Sequence, residues 1–169
     1  SIANVAIADS DFRYIRLDRQ GQAPLYNGSF KAVYDQGFGH IAEGKQVAIV
    51  ACGALLQKAM AARDALAEQG VEAGVIDLFR VKPINGAGLT KLLESYDAVL
   101  TVEEQLLEGG MGSAVAEALV DNSVLKPMKR LGMQDGFAVV NGDRDTLHDL
   151  YGIDTPQIIN AALKLAGKV

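Results

Sequence analysis

Three short, largely apolar segments separated by helical patterns constrain this chain more than any other feature. They are "VAIVAC" at Val47–Cys52, "AGVIDL" at Ala73–Leu78 and "AVLTV" at Ala98–Val102, each of strand length and without in–out alternation. A strand that is apolar on both faces must be covered on both faces, which is the condition of a parallel sheet between two helical layers. The intervening segments supply the helices. Leu55, Ala59, Ala62 and Leu66 recur at helical spacing and stop at Gly70. Leu89, Leu92, Leu93 and Tyr96 form a second such stripe, and Ala114, Val115, Ala118 and Leu119 a third. "PMKRLG", Pro127–Gly132, reads as a fourth and more polar strand. A last helix is expected with Thr155 as N-cap and Pro156 at its first position, its stripe carried by Ile158, Ile159, Ala162 and Leu165. The pattern predicts an α/β fold: a doubly wound, mostly parallel sheet with helices on both faces, over residues 46–169.

The amino-terminal part breaks this rhythm. "FRYIRL", Phe12–Leu17, alternates and reads as a strand. Gly21, Pro24, Asn27, Gly28 and Ser29 then punctuate a connector, with a short β excursion expected near Phe30–Tyr34. The division is therefore 1–20 as the tail of another domain, 21–45 as linker and 46–169 as the α/β domain. The opening on Ser1 rather than Met fits a fragment or a processed chain.

Composition narrows the function classes. Net charge is −5, with the basic residues scattered, so no cationic surface is offered to nucleic acid or to an acidic membrane. No apolar run approaches the roughly 20 residues of a membrane span, and no signal pattern opens the chain. One cysteine and two distant histidines leave neither an internal disulfide nor a structural zinc set. A cytoplasmic, reduced, soluble protein is the expectation.

In doubly wound sheets ligands sit past the carboxyl ends of the strands. Two loops qualify: "CGALL" after the first long strand and "VEEQLLEGGMGSAVAEAL", Val102–Leu119, after the third. In the second, Gly109, Gly110, Gly112 and Ser113 precede a helix and could present amides to an anion. The competing reading is a tight turn in which glycines let strand and helix pack closely. The loop is neither GxGxxG nor a P-loop. Glu103 and Glu104 are adjacent on a strand and point to opposite faces, which argues against a paired-carboxylate acid/base site. Cys52 reads as a small core residue. His40 could reach a partner domain, His148 belongs to a surface helix or turn, and Asp77 with Arg80 suggests an ion pair. Arg16, Arg19 and Gln20 in "IRLDRQ" stand at a strand end, where an arginine can hold phosphate through its fork of donors or simply face solvent.

The order "YIRLDRQ … VAIVACGALLQKAMAARDAL … VIDLFRVKPIN … TVEEQLLEGGMGSAVAEAL … KRLGMQD … YGIDTPQIINAA" resembles the C-terminal part of the transketolase family. The resemblance implies that residues 1–20 end a pyrimidine-binding domain and that residues 46–169 form the C-terminal domain, with one antiparallel strand in its sheet. It implies thiamine diphosphate and Mg in the complete enzyme and none bound to this chain alone. The cofactor's glutamate and the Gly-Asp-Gly metal motif belong to parts absent from this sequence. Arg19 matches the arginine of an "SRQ" or "PRG" motif that contacts substrate phosphate, with Asp18 where Ser or Pro is usual. Gln105 stands where many relatives carry His. The loop with Glu103, Glu104, Gln105, Gly109, Gly110, Gly112 and Ser113 is then expected to line an interface toward a pyrimidine domain. The implied activity is two-carbon ketol transfer between phosphorylated sugars, by a homo-oligomer completed by N-terminal domains or a second subunit, the isolated chain being inactive. Two alternatives stand beside it: the C-terminal part of 1-deoxy-D-xylulose-5-phosphate synthase, and a non-catalytic α/β module that binds an anion at "GGMGS".

Overall fold

A computed structural model of the chain describes residue 7 and residues 12–18, 21–26, 31–137 and 139–168. Five strands form one sheet: β1 (Gly39–Ala42), β2 (Val47–Ala51), β3 (Ala73–Asp77), β4 (Ala98–Leu106) and β5 (Met128–Met133), in the order β1-β3-β2-β4-β5. β2 pairs in parallel with both β3 and β4, and β4 in parallel with β5. β1 runs antiparallel against β3. The helices are α1 (Lys31–Tyr34), α2 (Leu55–Glu68), α3 (Gly86–Leu93), α4 (Met111–Asp121), α5 (Arg144–Leu150) and α6 (Thr155–Leu165).

Successive strand residues point to opposite faces, and here each face has its own core. Val47, Ile49 and Ala51 of β2 pack with Leu55, Ala59 and Leu66 of α2 and Ile158 and Ala162 of α6. Ala48 and Val50 pack on the other side with Leu89 and Leu93 of α3 and Met111, Val115 and Leu119 of α4. This is why the strands carry no polar alternation: all five residues of β2 and all five of β3 are buried. Among the described residues no helix is long and apolar enough to cross a membrane.

The chain departs from the expectations at its amino-terminal side. The antiparallel strand is β1, inside the stretch read as linker: Gly39 faces Asp77 and His40 faces Ile76 across the ladder. The β excursion expected near Phe30–Tyr34 is instead the short helix α1, Phe30 itself lying outside the described residues. Residues 12–18, read as a strand from their alternation, form no strand: they pair with no ladder of the sheet. At α6 the N-cap is Asp154, whose carboxylate accepts from the Gln157 amide at 3.1 Å. Thr155 is thus the first helical residue rather than the cap.

Candidate functional site

The crossovers fix where a site can lie. After β2 the chain moves to one side, to β3; after β3 it returns past β2 to β4. The crevice at this reversal lies beyond the carboxyl ends of β2 and β4, where Cys52 and the residues following Val102 are found.

Glu103 is fully buried. Its Oε1 accepts from the Gly112 amide at 2.7 Å and its Oε2 from the Met111 amide at 2.5 Å. These are the first two amides of α4, whose own N-cap, Gly110, has no side chain to offer. A carboxylate eight residues upstream therefore acts as the cap and sits on the positive end of the helix dipole. Burial raises its pKa, opposed by the Gly112 and Met111 amides and by Arg130. The turn closes around the same group. Ser113 Oγ donates to the Leu107 carbonyl at 2.8 Å and accepts from the Gly109 amide at 3.2 Å and from Arg130 Nη1 at 2.8 Å. A Cβ on Gly110 would strike the Glu103 carboxylate and the Leu106 carbonyl, and one on Gly112 would lie 2.6 Å from Thr101 Oγ1. The glycines serve close approach, and the amides at Met111 and Gly112 are engaged by the chain itself.

Glu104 faces the opposite side, as adjacent strand residues must. Its Oε1 accepts from His148 Nε2 at 2.8 Å and lies 3.4 Å from Arg144 Nε. Arg144 grips Asp18 with two bonds, Nη1 to Oδ2 and Nη2 to Oδ1, both 2.7 Å. His148 is buried rather than on the surface, and its Nδ1 has no partner among the described residues. Beside this cluster runs a cleft of about 510 Å³ lined in part by Gln57, Lys58, Asp145 and His148, across which Lys58 meets Asp145 at 2.8 Å. Gln105, with its amide nitrogen turned to the carboxylate, donates to Glu103 Oε2 at 3.3 Å and accepts from Arg16 Nη1 at 3.1 Å. Arg19 and Gln20 lie outside the described residues.

Cys52 is held as a thiol: burial first, then Glu103, Asp77 and Glu104, push its pKa up to about 12. Such a group is no nucleophile near neutrality. Asp77 and Arg80 form no ion pair. Asp77 Oδ2 accepts from the Tyr26 hydroxyl at 2.7 Å, and Arg80 donates to the carbonyls of Tyr34 and Asp35. Burial raises Asp77 to about 6 despite the Tyr26 bond, and its Oδ1 has no partner among the described residues. His40 meets Tyr96 Oη at 2.8 Å, within the same chain.

This carboxyl end does not fit a thiamine diphosphate–Mg group. Its helix-terminal amides are engaged by Glu103, the carboxylates of Asp77, Glu103 and Glu104 would repel a diphosphate, and among the described residues no three His, Cys, Asp or Glu side chains are placed to hold a metal. Arg130, Arg144 and Tyr26 carry much of the local structure without having been singled out for it, and Asp18, noted for its place in the motif, was not expected to meet Arg144. Their partners are 17 to 126 positions away in the chain, and no short-range spacing signals such contacts.

Residues 39–158 match the family described as transketolase, C-terminal domain. Among curated relatives, 1-deoxy-D-xylulose-5-phosphate synthase of Caldanaerobacter subterraneus is 34% identical over 89% of this chain and 24% of its own length. A subunit of the apulose-4-phosphate transketolase of Actinobacillus succinogenes is 32% identical over 90% of this chain and 49% of its own. A putative transketolase C-terminal section of Methanocaldococcus jannaschii is 33% identical over 86% of this chain and 45% of its own. The chain thus spans half or less of the length of these relatives. A solved structure described as a split gene transketolase, inactive beta4 tetramer, superposes with a TM-score of 0.86 at 32% identity, over 98% of this chain and 54% of that one. A transketolase from Leishmania mexicana shares the fold with a TM-score of 0.62.

Proposed function

The chain belongs to the transketolase C-terminal domain family, and we propose that it acts as the C-terminal section of a thiamine-diphosphate-dependent ketol transferase. In this reading residues 1–20 belong to a pyrimidine-binding domain, the connector leads to the α/β unit, and thiamine diphosphate and Mg are held by other domains or a second subunit. The activity is two-carbon transfer between phosphorylated sugars in a cytoplasmic homo-oligomer, with no role for nucleic acid or membrane. The chain alone is inactive. Its contribution is twofold: it supports assembly, and Arg19 holds the substrate phosphate.

The observation that carries the reading is Glu103. The amides best placed to take a ligand at the crevice already hold a buried carboxylate of the same chain, so this end of the sheet is built as a braced surface rather than a ligand pocket. Phe12 and Tyr14 are 98% and 85% exposed, as expected of residues whose own sheet lies elsewhere. Glu103, Glu104, Gln105, Gly109, Gly110, Gly112 and Ser113 are then framework and interface residues, and an anion-binding module at "GGMGS" is the weaker alternative. Gly112→Val with unchanged phosphate affinity fits the framework reading.

Reconstitution tests the proposal. The chain extended by its missing domains, or mixed with the complementary subunit, should transfer a ketol unit from hydroxypyruvate to ribose 5-phosphate, whereas the chain alone should not. A complex that forms and transfers nothing refutes it. The similarity to 1-deoxy-D-xylulose-5-phosphate synthase supports a second reading, and turnover that requires pyruvate and glyceraldehyde 3-phosphate would select it.

A further inference from the structure

The loop "CGALL", Cys52–Leu56, carries the chain from β2 into α2. Gly53 turns it in the left-handed region, with φ +61°, and Ala54 stands at the N-cap. Alanine has no acceptor to offer, and among the described residues no side chain caps α2. Ala54 lines the cleft of about 510 Å³ between α2, α5 and the start of α6. Lys58, one turn along α2, lines the same cleft and is only 20% exposed. From α5 the cleft is lined by His148, 4% exposed. Its Nε2 meets the Glu104 carboxylate at 2.8 Å, and its Nδ1 has no partner among the described residues. We propose that this cleft binds a phosphate group through the amides of Ala54 and Leu55, the Lys58 ammonium and His148 Nδ1. The site lies on the face of β4 opposite to the Glu103 turn, and it stands whichever reaction the assembly performs.

The opening amides of a helix, joined by a lysine, suit the oxygens of an anion. The Leu56 amide is already bonded to the Gly53 carbonyl at 3.2 Å, so the two amides before it are the ones to offer. His148 adds a second requirement. Its Nε2 donates to a carboxylate, so Nδ1 of the neutral ring is an acceptor. The ligand must therefore bring an O–H as well as negative oxygens. A phosphate does both, because a second pKa of about 6 leaves it a share of P–O–H near neutrality. Sulfate has no such proton to give.

The other charged groups of the cleft are compatible with this ligand. Asp143 accepts from the Thr146 amide at 2.8 Å, and Arg144 Nε lies 3.4 Å from Glu104. Asp145 differs from both. It is 85% exposed, and its carboxylate stands 2.8 Å from Lys58 Nζ. An ion pair with so exposed a partner is weakly held. Asp145 thus marks a place where the cleft already accepts an anion, and phosphate takes that place over. Gly21 and Gln22 of the connector also line the cleft and bring no charge.

The test titrates the full chain with inorganic phosphate, with sulfate at matched ionic strength and with ribose 5-phosphate, and follows the NMR resonances of the amides of residues 53–58 and of the His148 ring. Phosphate should shift them saturably and bind at least about fivefold more tightly than sulfate, although sulfate carries the larger charge. Lys58→Gln should weaken phosphate about fivefold. Asp145→Asn should tighten it about threefold, and Asp149→Asn, the same charge change on α5 outside the cleft lining, should not. Tighter binding of ribose 5-phosphate than of phosphate would make the ligand an organic ester, and weaker or equal binding would make it free phosphate; either order supports the site. Shifts that fail to saturate, or that bypass residues 53–58, would overturn the proposal. Sulfate bound as tightly as phosphate would overturn it as well, because Nδ1 would then take no part, and this comparison needs no variant. Equal effects of Asp145→Asn and Asp149→Asn would mean general electrostatic attraction only, and would also overturn it.

Discussion

Glu103 and Asp77 are both buried carboxylates at the carboxyl end of one sheet, yet their surroundings give them opposite characters. Glu103 has both oxygens satisfied by helix-terminal amides, with Arg130 nearby. Removing it leaves two amides of α4 unpaired in the core, and hydrogen bonds to a charged group are worth about 1.5–3 kcal/mol each at most. Glu103→Ala should therefore lose about 2–4 kcal/mol in urea denaturation, and Glu103→Gln, which keeps one acceptor, about half of that. Asp77 has one oxygen on Tyr26 and one with no partner among the described residues, and burial pushes its carboxyl up to about 6 from the ordinary 3.8. Its folded pKa is raised, so between these values the folded state binds the extra proton. Its contribution is therefore most favourable at low pH and is lost as pH rises toward and through the folded pKa. Asp77→Asn removes the titration while keeping an acceptor for Tyr26. Relative to wild type, the variant should gain about 2 kcal/mol between pH 4 and pH 7, measured as the difference in unfolding free energy at each pH. A pH-independent difference would contradict this assignment.

At the scale of elements, the turn between β4 and α4 depends on Gly110. Its φ of −78° is open to any residue, so the need for glycine is one of space. A Cβ would meet the Leu106 carbonyl, which the chain cannot swing aside, as well as the Glu103 carboxylate. Gly110→Ala should cost about 2 kcal/mol and lower Tm by about 5 °C in a thermal melt. Gly109→Ala is strained for another reason, its φ of +72°. The sequence made the parallel strands and α2, α3 and α4 legible because their signal is periodic and local: Val47–Ala51 is apolar because two cores flank it, and Leu55 to Leu66 keep helical spacing. β1 was not legible. "GHIA" is four residues between glycine-rich turns, and only pairing with β3 makes it a strand. The same holds for the site. That Glu103 and Glu104 point apart follows from the strand period, but the capping of α4 from eight residues upstream and the burial of His148 by Glu104 are tertiary contacts with no periodic trace.

For the whole molecule, the sheet order places the crevice of a doubly wound fold between β2 and β4, where such folds bind ligands. Here that place is filled from within. Glu103 occupies the α4 amides, Cys52 stays a thiol, and Glu104 is tied to α5. What this end of the sheet presents outward is a pair of grips on the tail, at Arg16 and Asp18. On the proposed reading such a domain contributes position, and the reacting groups come from the rest of the assembly. Calorimetric titration of thiamine diphosphate with Mg is the most direct measurement, made first on the chain alone and then on the chain joined to its missing domains or subunit. No saturable heat is expected for the chain alone, and stoichiometric binding is expected in the assembly. Saturable binding of the cofactor by the isolated chain would contradict a purely positioning role.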